Sequence, residues 1–232
     1  MENSHNMERI ILIETSTSLL STALVEDGKV ISYKESSAEK AHASLTAVFI
    51  NEMLEENGLS MKGCDAVCVS EGPGSYTSLR VGVSTAKGLC FGSGKPLIAV
   101  GALDTLVAQV ENPGEYDWIV PMIDARRMEV YSAIFRPDGT RITDVEPVIV
   151  DKDSFSEYLT KGKVLFIGDG AEKCKGTITS ENATFLQCHP KASSMLKPAL
   201  EQFHQGRFKD VAYFEPFYLK EFVATVSKKK LF

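Results

Sequence analysis

The same order of signals occurs twice along this chain, and a duplicated unit limits the available folds more than any composition does. Ile11-Leu12-Ile13-Glu14, an apolar run from Ser21 to Val25 and the turn Asp27-Gly28 are matched by Pro121-Met122-Ile123-Asp124, Ser132 to Phe135 and Asp138-Gly139. The offset is 110 residues at the acids and 111 at the turns, so one inserted residue brings the halves into register. Further on, Val69-Ser70-Glu71-Gly72 is echoed by Ile167-Gly168-Asp169-Gly170. Each half reads as a meander with an acid where its first strand ends, then a helix, then a strand closed by acid-Gly.

Periodicity fills in the first half. Arg9 to Ile13, Leu20 to Glu26 and Lys29 to Glu35 read as three strands, the last two joined by Asp27-Gly28. Leu45, Val48, Phe49, Met53 and Leu54 mark a helical stripe from Ala43 to Asn57, with Gly58 where a helix ends in the left-handed conformation. A strand from Asp65 to Ser70, a helix from about Ser78 to Phe91, a strand from Pro96 to Val100 and a helix from Leu103 to about Val110 follow. Strands alternating with helices indicate an α/β fold. Asn112-Pro113-Gly114 is the best linker, which divides the chain into lobes at 9–111 and 112–219 with a tail at 220–232.

Composition excludes several classes. At 232 residues and 44% hydrophobic, the chain has enough length to bury a sizeable core. No apolar run approaches the ~20 residues of a membrane span, and Met1 to Arg9 is polar, so a cytoplasmic protein without membrane contact is expected. Five cysteines do not make a disulfide framework, and Cys68 and Cys90 sit in apolar stretches. With 25 Lys+Arg against 31 Asp+Glu the net charge is -6, which argues against a chain that grips nucleic acid by itself.

An acidic strand end followed by a hydroxyl- or arginine-rich turn in each of two copies resembles the actin-like ATPase fold, whose first hairpins face each other across a nucleotide cleft. Glu14-Thr15-Ser16-Thr17 is then the first candidate phosphate turn, although Ser and Thr also stabilise turns by bonding their own backbone. It has no glycine to admit a phosphate closely. Gly72, Gly74 and Ser75 lie where a strand runs into G-P-G and a helix, a place where free N–H groups and the helix dipole favour an anion. The plain alternative is a turn with Ser75 or Thr77 as the helix cap. Asp124, Arg126 and Arg127 occupy the second turn, where guanidinium groups suit a phosphate or carboxylate but equally suit a structural network with Asp124 and Glu129. Gly168 and Gly170 close the set.

The stretch Gly72 to Leu89, G-P-G-S-Y-T-S-L-R-V-G-V-S-T-A-K-G-L, closely resembles the signature of the TsaB (YeaZ) family of tRNA threonylcarbamoyladenosine synthesis. I-L-I-E-T-S-T-S, the helix start near His42, D-A-R-R-M-E-V-Y from Asp124, G-D-G-A from Gly168 and P-F-Y-L from Pro216 agree in order, so the resemblance spans about residues 9 to 219. Glu14 departs from the more frequent Asp of that family, and Ser78 from its usual Gly. The resemblance implies a non-catalytic partner of the transferase TsaD, acting with the ATPase TsaE on the adenosine beside the anticodon of tRNAs that read codons starting with A. It implies contact with tRNA only through that complex, and a homodimer when the chain is alone. It further implies a partner interface on two helices through Leu45, Val48, Phe49, Leu79, Val81, Gly82, Val83, Ala86 and Leu89, for which the plain alternative is core against the sheet. TsaD carries a histidine pair for metal, and Ala102 and Leu106 stand in its place here. No metal and no cofactor beyond weak nucleotide binding is therefore expected, and no catalytic residue. The competing expectation is a self-sufficient actin-like enzyme, either a small-molecule kinase or a metallopeptidase.

Overall fold

Continuous apolar runs give the first meander its central strand. In the computed structural model, which describes residues 7–219, β1 (Arg9–Glu14) is covered on both faces, with β2 (Leu20–Glu26) and β3 (Lys29–Ser36) beside it. The 220–232 tail, with lysines at 228, 229 and 230, lies outside the described residues. Next come α1 (Ala41–Glu56), β4 (Ala66–Gly72), α2 (Tyr76–Ser93), β5 (Leu97–Gly101) and α3 (Ala102–Ala108). The second half adds β6 (Trp118–Asp124), β7 (Glu129–Ser132), β8 (Glu146–Ile149), α4 (Ser156–Leu159), β9 (Val164–Ile167), α5 (Ala171–Cys174), β10 (Ala183–Leu186) and α6 (Leu196–His204). The expected helices each shift by one or two residues at their ends, as capping rather than periodicity sets the last turn.

The duplication is explicit in the sheets. Their orders are β3-β2-β1-β4-β5 and β10-β9-β6-β7-β8, so the second, read from its β8 edge, repeats the first with β6 in the place of β1. Antiparallel β1·β2 and parallel β1·β4 pairs correspond to antiparallel β6·β7 and parallel β6·β9 pairs. Glu14 and Asp124 both end the central strand of their sheet.

The copies differ in their helices. In the first, α1 and α2 lay Ile50, Met53, Leu54, Val83, Ala86 and Cys90 on Ile11, Ile13, Val67 and Val69. Full burial of each Val, Leu or Ile is worth about 1.5–3 kcal/mol. In the second, the connections are shorter and α4 and α5 have four residues each. Among the described residues a long helix pair therefore stands on one lobe only.

Packing redraws the lobe boundary at 111/112. Leu103 and Leu106 of α3 bury against Ile119, Ile123 and Ile167 of the second sheet. Conversely, Ala192, Met195 and Ala199, from a 3-10 turn and α6, return to Ile10, Leu12 and Ile98 of the first. Each lobe is thus completed by a segment the linear division assigns to the other, because each sheet has a second apolar face to cover. Among the described residues no helix is long and apolar enough to cross a membrane.

Candidate functional site: two closed turns and a helix pair

The first turn folds back on its own acid. Glu14 ends β1 wholly buried, and its Oε1 accepts the N–H of Ser16 at 2.6 Å. Burial pushes the Glu14 carboxyl up to about 7, against the pull of the Ser16 hydroxyl and amide and the Ser70 hydroxyl. Those hydroxyls lie close enough to favour the charge, yet Glu14 Oε2, Ser16 Oγ and Ser70 Oγ are buried without a hydrogen bond of full geometry. Beyond it, Thr17 Oγ1 accepts the N–H of Leu19.

Glycines absent from the turn are supplied by its neighbours. Ser16 O accepts the N–H of Ser75 at 2.7 Å, and a Cβ on Gly74 would lie 2.2 Å from that same oxygen. A Cβ on Gly82, in the second turn of α2, would lie 2.2 Å from Thr15 Oγ1. The G-P-G strand end and α2 therefore close directly upon residues 15 and 16, and glycine is required at both places for that approach. Ser75 is the N-cap residue of α2, without a side-chain cap bond. The C-terminal P-F-Y-L joins the same corner: Phe217 N–H donates to Glu71 O at 2.7 Å, and the Tyr218 ring lies 4.7 Å from that of Tyr76.

The second turn is braced from three sides. Asp124 N–H donates to Asp169 Oδ1 at 2.9 Å, and Arg126 N–H donates to Asp124 Oδ1 at 2.8 Å. Lys173 Nζ donates to Asp124 Oδ1 and to Glu129 O. Gly170 N–H donates to Met122 O at 3.0 Å, and a Cβ on Gly168 would meet that oxygen at 2.2 Å. Hence the network with Asp124 that the sequence offers to Arg126 and Arg127 is made by Lys173, a residue with no motif to announce it. Both arginines are exposed, with left-handed backbones at φ 72° and 50°.

A histidine joins the two turns. His189 Nδ1 lies 3.1 Å from Thr17 Oγ1 and 3.9 Å from Asp169 Oδ2. Burial raises the Asp169 carboxyl, with the Asp124 amide and His189 opposing it. The scattered histidines of the sequence give no sign of this link.

On the helix pair, burial corrects the expected interface. Leu79, Gly82, Val83 and Ala86 are buried within the chain and present no surface to a partner. Leu45, Phe49, Val81 and Leu89 are half-buried. The exposed face consists of Ala43, Ala47 and Val48 on α1 with Arg80, Ser84, Gly88 and Phe91 on α2, Phe91 being 88% exposed. Helical periodicity finds an apolar stripe but does not say which side of it faces the sheet. Ala102 and Leu106 of α3 are wholly buried among apolar side chains.

Fold and site together define an actin-like duplicate whose turns are bonded to their own chain. The model of the family described as TsaD, tRNA N6-adenosine threonylcarbamoyltransferase, matches residues 35–227, and the chain belongs to that family. Within it, similarity runs nearly end to end with TsaB: 29% identity over 226 residues to the Escherichia coli tRNA threonylcarbamoyladenosine biosynthesis protein TsaB, covering 93% of this chain and 96% of that one. The Bacillus subtilis TsaB is 31% identical over 60% of this chain and 59% of its own. A tRNA N6-adenosine threonylcarbamoyltransferase of Anaeromyxobacter dehalogenans is 32% identical over 55% of this chain and 44% of its own. YeaZ from Pseudomonas aeruginosa has the same fold, with a TM-score of 0.80 at 22% identity, covering 92% of this chain and 100% of that one.

Proposed function

We propose that this chain is a non-catalytic subunit in the threonylcarbamoyl modification of tRNA, acting through a complex with a TsaD-type transferase. The near-full-length similarity to TsaB supports the pathway. The non-catalytic part rests on one observation: the first turn is closed on itself and on G-P-G, through the Ser16 N–H to Glu14 and the Ser75 N–H to Ser16 O. A nucleotide phosphate needs free N–H groups there, and an acid that reaches a metal or water. The N–H groups of Ser16 and Ser75 are bonded within the chain, and Glu14 is wholly buried, which speaks against a site for the nucleotide that the fold family implies. Where the resemblance places a histidine pair for metal, this chain has Ala102 and Leu106, which offer no ligand atom. The reading therefore includes neither nucleotide nor metal as a resident group.

The partner surface in this proposal is the exposed face of α1 and α2, with Val48 and Ser84 near its middle. An antiparallel match to a similar helix pair, on TsaD or on a second copy of this chain, would make a four-helix bundle. TsaE is the third member, tRNA is reached through the complex, and the target is the adenosine beside the anticodon in tRNAs reading codons that start with A.

The test is sedimentation of the chain mixed with the TsaD-type protein of the same organism, together with calorimetry of the chain against Mg-ATP. A stable complex that Val48→Asp with Ser84→Arg weakens at least tenfold, and no heat with Mg-ATP, is the expected result. Tight nucleotide binding by the chain alone, or no complex with the wild type, overturns the proposal in favour of a self-sufficient enzyme.

A further inference from the structure

The turn between β6 and β7 places two consecutive arginines in the left-handed region, where side-chain-bearing residues are disfavoured. The same chain uses Asp27-Gly28, at φ 46° and 72°, where β2 meets β3 and two left-handed residues are again required. An Asp-Gly solution is thus within its repertoire, and at 126–127 stability is given up to keep two guanidinium groups at the tip. A strained backbone of this kind points to a role for the side chains it carries.

The surroundings agree. Asp124, the nearest acid in the turn, is occupied by Lys173 and by the Arg126 N–H. Among the described residues no ion pair involves Arg126 or Arg127, and both are exposed. Asp169 and Lys173 brace the base of the turn, so the backbone that carries the arginines is held in one conformation. The turn is also tied through Asp169 and His189 to the first lobe.

We infer that Arg126 and Arg127 form a contact point for phosphate groups of the RNA backbone. This rests on the functional reading above for the kind of ligand, since planar guanidinium groups bind phosphate in bidentate fashion. The net charge of -6 argues against a chain that grips nucleic acid by itself, so the contact is local and counts two charges at most. On its own it is a weak contact that binds RNA at low salt, and a partner that brings the RNA near strengthens it.

The experiment compares wild type with Arg126→Asn combined with Arg127→Gly. Unmodified tRNA is titrated over a salt series, into the chain alone starting at low salt and into its mixture with the TsaD-type protein. Expected are a higher melting temperature for the variant, from relief of the left-handed arginines, and weaker tRNA binding. The log-affinity against log-salt slope should be shallower by about 1.5–2, as for two lost phosphate contacts. Complex formation should be unchanged. Coincident salt series for both proteins overturn the inference even where the complex forms. A variant that instead weakens the complex assigns the arginines to a carboxylate on the partner protein and also overturns it. If wild type forms no complex, the functional reading fails, and the titration of the chain alone decides the phosphate contact by itself.

Discussion

His189 Nδ1 stands 3.1 Å from Thr17 Oγ1, which binds the first turn of one lobe to the segment that leads out of the other. The neighbouring Ala192 N–H donates to Ser21 Oγ at 2.9 Å, so the crossing is held at two points. The apolar return of Ala192, Met195 and Ala199 onto Ile10, Leu12 and Ile98 adds to that hold.

His189→Ala is expected to lower stability by about 1 kcal/mol, the net worth of one intramolecular hydrogen bond. Thr17→Val should cost a similar amount. In the double variant the losses should fall short of the sum, because both remove the same bond. Chemical denaturation of the three variants checks this, and strict additivity would separate the two residues.

Glu14 gives the protein a pH dependence of unusual sign. Its carboxyl rises from an ordinary 4.5 to about 7 in the fold. Between those values the native state binds more protons than the unfolded one, so stability falls as pH rises from about 4.5 to 7 and is level above. The span corresponds to about 3 kcal/mol at 1.36 kcal/mol per unit. Glu14→Gln should flatten this part of the stability profile and gain on wild type above pH 7. Urea denaturation at pH 5 and pH 8 makes the comparison; an unchanged wild-type difference between the two pH values in the variant would place the dependence elsewhere.

Gly74→Ala is expected to cost about 2–3 kcal/mol, since its Cβ would press on the backbone oxygen of Ser16 and the contact has no side chain to yield. Gly82→Ala meets mainly the side chain of Thr15, so Thr15→Ala should recover part of the loss. Melting temperatures of the single and paired variants test this difference. Equal, unrescued losses would refute it.

Val83→Glu should prevent folding rather than report on an interface, because Val83 is buried against Ile13 and Val69 and an unpaired charge there has no partner. Circular dichroism of Val83→Glu beside Val48→Asp distinguishes a core position from a surface one: loss of the folded spectrum is expected for the first alone.

Much of the architecture was legible along the chain. The repeat of Glu14 in Asp124 and of Asp27-Gly28 in Asp138-Gly139 anticipated two sheets built on one plan. Strand periods and turn residues are local properties, and locality survives in a linear text. The stripe on α2 was equally plain, but its role was not. Leu79, Val83 and Ala86 suit a partner interface and a core alike until the sheet is seen to cover them.

By itself, the sequence determined the duplicated strand plan, the acid at each central strand end and the resemblance to TsaB, because these depend on neighbours in the chain. The tertiary structure decided that Gly74 and Gly82 supply the close approach missing from the first turn, that Lys173 rather than an arginine holds Asp124, and that His189 joins the lobes. Those partners lie 45 or more residues apart along the chain, from Asp124 to Lys173 and from Thr17 to His189. Only the folding of both sheets, each covered by a segment from the other half, brings them within the few ångströms at which a hydrogen bond or a steric contact acts.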